Sequence, residues 1–210
     1  MRKIVNYLDS NSHITFIDAY DLYAKYLAGS VNDLSAFTPY AALRLIADKV
    51  LPNCNEFLYL DCDVAIMKNI ESMYYDCASK KEEIAFGVYE PEACNWEGEM
   101  VSGVMFFNLD TARRYHFFEH ARQNYKQNEY PFPDQMAMRD TAKVARLDPT
   151  YGYMWDYKKL NASPAILHFT NELVVKPYTD NHNLRYFYKV YPELEYIYKG
   201  TKLLDTIIGL

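Results

Sequence analysis

Phe57-Leu58-Tyr59-Leu60-Asp61-Cys62-Asp63 is an apolar run that stops abruptly at two carboxylates. Consecutive apolar and aromatic residues without alternation fit a strand covered on both faces, as in the interior of an α/β sheet. Asp61 and Asp63 are two apart, so an extended backbone puts both side chains on one side. Two like charges at the mouth of an apolar strand repel each other and are costly to desolvate. A divalent cation removes both problems, and hard carboxylate oxygens suit Mg²⁺ or Mn²⁺. The carboxyl end of a strand is also where α/β folds collect their ligands. The same residues also read as a solvated acidic turn.

Upstream of that strand, residues 38–51 read as a helix opened by Thr38-Pro39 and halted by Pro52. Leu43, Ile46, Ala47 and Val50 recur at helical spacing, with Arg44 and Asp48 on another face. Residues 13–18 read as a short strand, and 21–27 as a short helix stopped by Gly29. Downstream, a helix is expected over 69–75, a solvated turn at Lys80-Lys81-Glu82-Glu83, strands over 84–88 and 101–109, and an irregular loop over 91–99. Asp110 reads as the N-cap of one helix to about residue 128, and Pro133-Asp134-Gln135 as the first turn of another. Short strands follow at 143–147 and 165–169. Strands alternating with helices predict an α/β fold with a mainly parallel sheet flanked by helices.

Length and charge narrow the function. A chain of 210 residues suits one domain with a substantial core. The expected division is a principal domain over residues 1–183 and a Tyr-rich helical tail over 184–210. The net charge of −6 argues against nucleic acid as a partner, because phosphate backbones are held by clustered Lys and Arg. A diphosphate ligand would need local help such as a metal ion. Tyr is over-represented, with 21 residues; its ring with a polar tip suits core edges as well as sugar or nucleobase platforms. Cys54, Cys62, Cys77 and Cys94 show no CxxC spacing and read as reduced thiols. With no apolar run long enough to span a bilayer and no signal-peptide pattern at residues 1–9, a cytoplasmic location is expected.

Five further residues carry candidate chemistry. His168 closes the strand 165–169, and an imidazole is an acceptable Mn²⁺ ligand; it also reads as a polar residue satisfied within the fold. Asp134 sits where a carboxylate complements a helix dipole, and Gln135 follows it. Arg44 can hold a phosphate or carboxylate, or pair with Asp48 at i,i+4. Lys176, followed by Pro177, can reach a diphosphate as a point charge.

Taken in order, these residues resemble glycosyltransferase family 8, the GT-A group that includes bacterial lipopolysaccharide and lipooligosaccharide galactosyl- and glucosyltransferases and glycogenin. The resemblance runs from about Ile14 to Pro177 in four blocks. They are Arg44 to Pro52 leading into the Asp61-Cys62-Asp63 motif; Ser102-Gly103-Val104-Met105-Phe106-Phe107-Asn108-Leu109; Pro133-Asp134-Gln135; and Ile166-Leu167-His168-Phe169 with Lys176-Pro177. It implies a GT-A fold and retaining transfer of a hexose from a UDP-sugar to a glycan or lipopolysaccharide acceptor. Asp61, Asp63 and His168 would hold Mn²⁺, which bridges the donor diphosphate. Lys176 would touch that diphosphate, Arg44 would organise the donor site, and Asp134 and Gln135 would lie beside the donor sugar.

The sequence departs from the family in three places. Val101 stands where the family usually carries Asn, the segment from His168 to Lys176 is longer than usual with Asn171 at a common Gly position, and the family's first βαβ unit is missing ahead of residue 14. Without that unit, the strand ending in Asp61-Cys62-Asp63 is expected to be exposed at one edge. Direct pairing of the remaining strands, a partner subunit in a homo-oligomer or a segment outside this chain would cover it, so either self-association or a truncated gene product with weak nucleotide affinity is expected. The tail from Leu184 reads first as a packed terminal helix and second as a peripheral membrane contact through its Tyr rings.

Two alternative functions accompany this reading. One is a catalytically inactive remnant or binding module of the same fold. The other is a phosphatase of the haloacid-dehalogenase type, which also places an Asp pair after an apolar strand; it needs a downstream acidic pair near Gly-Asp, and this chain contains no Gly-Asp.

Overall fold

The computed structural model describes residues 11–35, 39–89, 100–154 and 164–168. In chain order these form α1 (Tyr20–Tyr26), a 3-10 helix (Pro39–Ile46) running into α2 (Ala47–Val50), β1 (Glu56–Leu60), β2 (Val64–Ile66) and α3 (Glu71–Ser79). Next come β3 (Ala85–Tyr89), β4 (Met100–Asn108), α4 (Leu109–Arg114), α5 (Phe117–Gln127) and α6 (Pro133–Arg139). The series ends with β5 (Ala145–Arg146), a 3-10 turn (Pro149–Tyr151), β6 (Tyr153–Met154) and β7 (Ile166–His168). Asp18–Met154 and Asn161–His168 make up one compact unit, which holds every one of these elements.

The apolar sequence of β4 makes it the organising strand. All nine of its residues are buried, and it lies between β1 and β3 in a four-stranded sheet of order β1-β4-β3-β5. Side-chain alternation sends Met105 and Phe107 to one face and Val104 and Phe106 to the other. The first pair packs in a core with Leu45, Ile46, Phe117, Phe118, Ala121 and Tyr125. The second pair packs with Met73 and Cys77 of α3, Phe86 and Ile166. Burying a large apolar side chain contributes roughly 1.5–3 kcal/mol, so a strand covered on both faces anchors two helical layers at once. A smaller sheet of order β2-β7-β6 adjoins the second core.

The α/β class follows, with helices on both faces. The sheet, however, is mixed: β1 and β3 both run antiparallel to β4, and β5 runs parallel to β3. This corrects the expected predominance of parallel pairing. A parallel neighbour needs a crossover of a dozen or more residues, and only residues 90–99 separate β3 from β4. Residues 12–19 form no strand, although 13–18 read as one; apolar residues alone do not make a strand without a ladder partner. The expected helix over 38–51 starts as a 3-10 helix and becomes α-helical only at Ala47. The expected single helix from Asp110 is two, because His116 adopts a left-handed φ of 52° between α4 and α5. Among the described residues β1 has β4 as its one ladder partner and is half-buried throughout. No described helix is long and apolar enough to cross a membrane. The loop 91–99, Lys176 and the 183/184 division lie outside the described residues.

Candidate metal and catalytic site

The two sheets meet where β1 gives way to β2. The Asp61 amide still donates to the Gly103 carbonyl at 2.8 Å, which continues the β1–β4 ladder by one residue. The chain then turns through Cys62 and Asp63 into β2. In the small sheet His168, the last residue of β7, pairs with Val64 of β2, beside Asp63. This register carries His168, over a hundred residues later in sequence, to the two carboxylates. Its Nε2 lies 3.4 Å from Asp63 Oδ1 and 3.7 Å from Asp61 Oδ2. One ligand atom from each of the three residues lies within 4.8 Å of the others.

Glycine makes room for this cluster. A Cβ at Gly103 would overlap the His168 ring, 2.6 Å from Nδ1 and closer still to Cε1 and Nε2. The imidazole therefore rests directly on the β4 backbone; it is 4% exposed, and its buried Nδ1 has no hydrogen-bond partner among the described residues. Two carboxylates held against a buried imidazole fit a divalent cation with mixed oxygen and nitrogen ligands, such as Mn²⁺.

Next to the cluster sits a second group centred on Arg44, which the 3-10 helix carries into the core at 6% exposure. Arg44 Nη2 donates to Asp61 Oδ1 at 2.8 Å, Nε pairs with Asp134 Oδ2 at 3.0 Å, and Nη1 donates to the Ser102 carbonyl. Its guanidinium carbon lies 4.5 Å from the centre of the Tyr59 ring. Burial pulls the guanidinium pKa down, but Asp134, Tyr59 and Asp61 outweigh it and hold the group above its ordinary value. The i,i+4 pairing with Asp48 does not occur: Asp48 instead takes Arg122 at 2.6 Å.

Asp134 is buried and also accepts from the Ser102 hydroxyl at 3.2 Å, while Gln135 Oε1 accepts from the Ser102 amide at 3.1 Å. The start of α6 is thus stitched to β4 beside Gly103. Of the residues singled out in the sequence, Asp61, Asp63, His168, Arg44, Asp134 and Gln135 come together here; Lys176 lies outside the described residues. Val101 is buried in β4 opposite Val88, an apolar setting without the polar contact expected of Asn.

Two participants were not anticipated. The Tyr59 hydroxyl donates to Asp61 Oδ1 at 2.6 Å, and the phenol's pKa is pushed well above its ordinary value by burial, with Arg44 opposing and Asp61 reinforcing. Its i,i+2 spacing to Asp61 on a strand was the available signal. Ser102 links Arg44, Asp134 and Gln135 at once; nothing in its sequence context marks a serine for that role.

Solved structures with the same fold include the WbbM bifunctional glycosyltransferase, at 14% identity and TM-score 0.62 over 84% of this chain and 38% of that one. The galactosyltransferase LgtC in complex with donor and acceptor sugar analogues matches at 15% identity and TM-score 0.59, covering 89% and 77% of the two chains. Mouse xyloside xylosyltransferase 1 matches at 15% identity and TM-score 0.60, covering 83% and 82%. No curated protein matches the chain. The family model described as Glycosyl transferase family 8 matches residues 9–182. That span covers most of the chain and takes in all the clustered residues, so the phosphatase reading falls away and the chain belongs to glycosyl transferase family 8.

Proposed function

We propose that the chain transfers a hexose from a UDP-sugar to a glycan or lipopolysaccharide acceptor with retention of anomeric configuration, and that it depends on Mn²⁺. The observation that carries the metal requirement is the convergence of Asp61, Asp63 and His168 ligand atoms within 4.8 Å of one another at the junction of the two sheets. Those three residues would hold the ion, which when bound supplies Lewis-acid stabilisation to a departing diphosphate. Arg44, which is buried, bridges Asp61 and Asp134 and so fixes both carboxylates. Asp134 and Gln135 are assigned to the sugar side of the site, on the first turn of α6. Lys176 is assigned to the donor diphosphate. Support for a sugar donor comes from membership of glycosyl transferase family 8 and from LgtC, a galactosyltransferase solved with donor and acceptor sugar analogues. The negative net charge is consistent with a diphosphate held through a metal rather than through a basic patch. The location we assign is cytoplasmic, with residues 184–210 as a separate tail.

The test is a calorimetric titration of UDP into the chain with Mn²⁺, with a chelator, and with Asp63→Ala. Binding that requires Mn²⁺ and disappears in the variant supports the donor site. Absence of UDP binding under every condition sinks the proposal in favour of an inactive member of the same fold.

A further inference from the structure

Asp61 has two carboxylate oxygens in different surroundings. Oδ1 accepts from the Tyr59 hydroxyl at 2.6 Å and from Arg44 Nη2 at 2.8 Å. Oδ2 is the oxygen that faces His168 Nε2, at 3.7 Å. The terminal torsion of an Asp side chain is broad, so the plane of an unrestrained carboxylate would swing and present both oxygens or neither squarely to the His168 side. Arg44 Nη2, held in place by the other bonds of its guanidinium to Asp134 and to the Ser102 and Ala41 carbonyls, is one anchor of Oδ1, and the Tyr59 hydroxyl is the second donor that fixes the plane of the carboxylate.

We propose that Tyr59 is a positioning residue for the metal site: its hydroxyl locks Asp61 so that Oδ1 is turned into the protein and Oδ2 alone is presented to the cation. The inference rests on the metal reading above and deepens it. Tyr59 is suited to the task twice over. Strand alternation places it on the same side as Asp61 two residues later, and its ring lies under the Arg44 guanidinium, so one side chain aligns both donors to Oδ1. A carboxylate fixed with one outward oxygen occupies one coordination position rather than two and leaves the others to the remaining ligands. Groups that orient metal ligands in this way typically contribute 10–100-fold to affinity.

Tyr59→Phe keeps the ring under Arg44 and deletes only the hydroxyl. Titrating Mn²⁺ into the full chain, with the free ion counted by electron paramagnetic resonance, should give a dissociation constant raised about tenfold in the variant. The urea midpoint of the metal-free chain should stay close to wild type. A Tyr59→Phe chain that binds Mn²⁺ as tightly as wild type, or more tightly, overturns the inference. So does a loss of metal-free stability with affinity intact, since that assigns the hydroxyl a purely structural role. A wild-type chain that binds no Mn²⁺ overturns the metal reading itself and this inference with it, which separates the two failures.

Discussion

Gly103 shows how one absent atom can decide a site. Its position is fully buried, in the stretch of β4 where the register to β3 shifts between Gly87 and Val88, and its φ is not left-handed, so a positive φ is not what calls for glycine. The reason is steric: the His168 ring occupies the volume a Cβ would take. Gly103→Ala should therefore push the imidazole away from Asp61 and Asp63. The expected result is a loss of Mn²⁺ affinity of at least about tenfold, with destabilisation of about 1–3 kcal/mol from overpacking. Adding His168→Ala to that variant should return part of the stability without returning the metal, because the clash is gone and the ligand with it. Urea unfolding and Mn²⁺ titration of the single and double variants measure both quantities. Wild-type affinity in Gly103→Ala would show that His168 is not held by that contact.

At the scale of elements, what was legible in the sequence was what local pattern encodes. The apolar run of β1 ending at Asp61, Pro133 at the first position of α6, and the β3 and β4 strands all appear within a residue or two of expectation. What was not legible depends on distant partners. β2 has three residues, Val64–Ile66, too few to show a period, and it is a strand because β7 pairs with it a hundred residues later. The break between α4 and α5 is hidden because Phe117, Phe118, Ala121 and Tyr125 keep a helical stripe right up to it; His116 there takes a left-handed conformation that side chains other than glycine adopt rarely. The candidate site divides the same way. The carboxylate pair and His168 were readable from residue type, whereas the Arg44–Asp134 pairing was hidden behind the equally good local pairing with Asp48. α3 supplies an element-scale prediction. It buries Cys77 against Phe86 and Phe106, and that burial, reinforced by Asp76 and opposed by Lys80, pushes the thiol pKa from 9.0 up to about 11. The folded chain then keeps a proton that the unfolded chain loses. This part of the stability is fully present below the unfolded thiol pKa and is lost as pH rises toward 11. The buried tyrosines act in the same direction at still higher pH, so the diagnostic is a difference: urea midpoints of Cys77→Ala should fall less steeply than wild type between pH 9 and 11. Parallel slopes would remove Cys77 from the account.

For the whole molecule, the consequential fact is that the three candidate ligands belong to two sheets. Asp61 continues the four-stranded sheet through the hydrogen bond its amide donates to the Gly103 carbonyl, Asp63 leads into β2, and His168 ends β7 in the three-stranded sheet. A cation held by all three would tie the sheets together beside Gly103 of β4, and β7 is short, with three residues in its ladder to β2. Metal binding should therefore stabilise the fold as well as prepare it for a substrate. At a free Mn²⁺ concentration of about 100 times the dissociation constant, linkage gives about 2.7 kcal/mol, which for a chain of this size corresponds to a rise in Tm of about 5–10 °C. The gain should vanish with a chelator and in Asp63→Ala. Its location is equally specific: hydrogen exchange of the β2 and β7 amides should slow on adding Mn²⁺, while α5, on the opposite face of the large sheet, should change little beyond the global shift. A Tm increase without extra protection at β2 and β7 would mean that the ion binds elsewhere, and no Tm increase at saturating Mn²⁺ would remove the metal from the fold's energetics altogether.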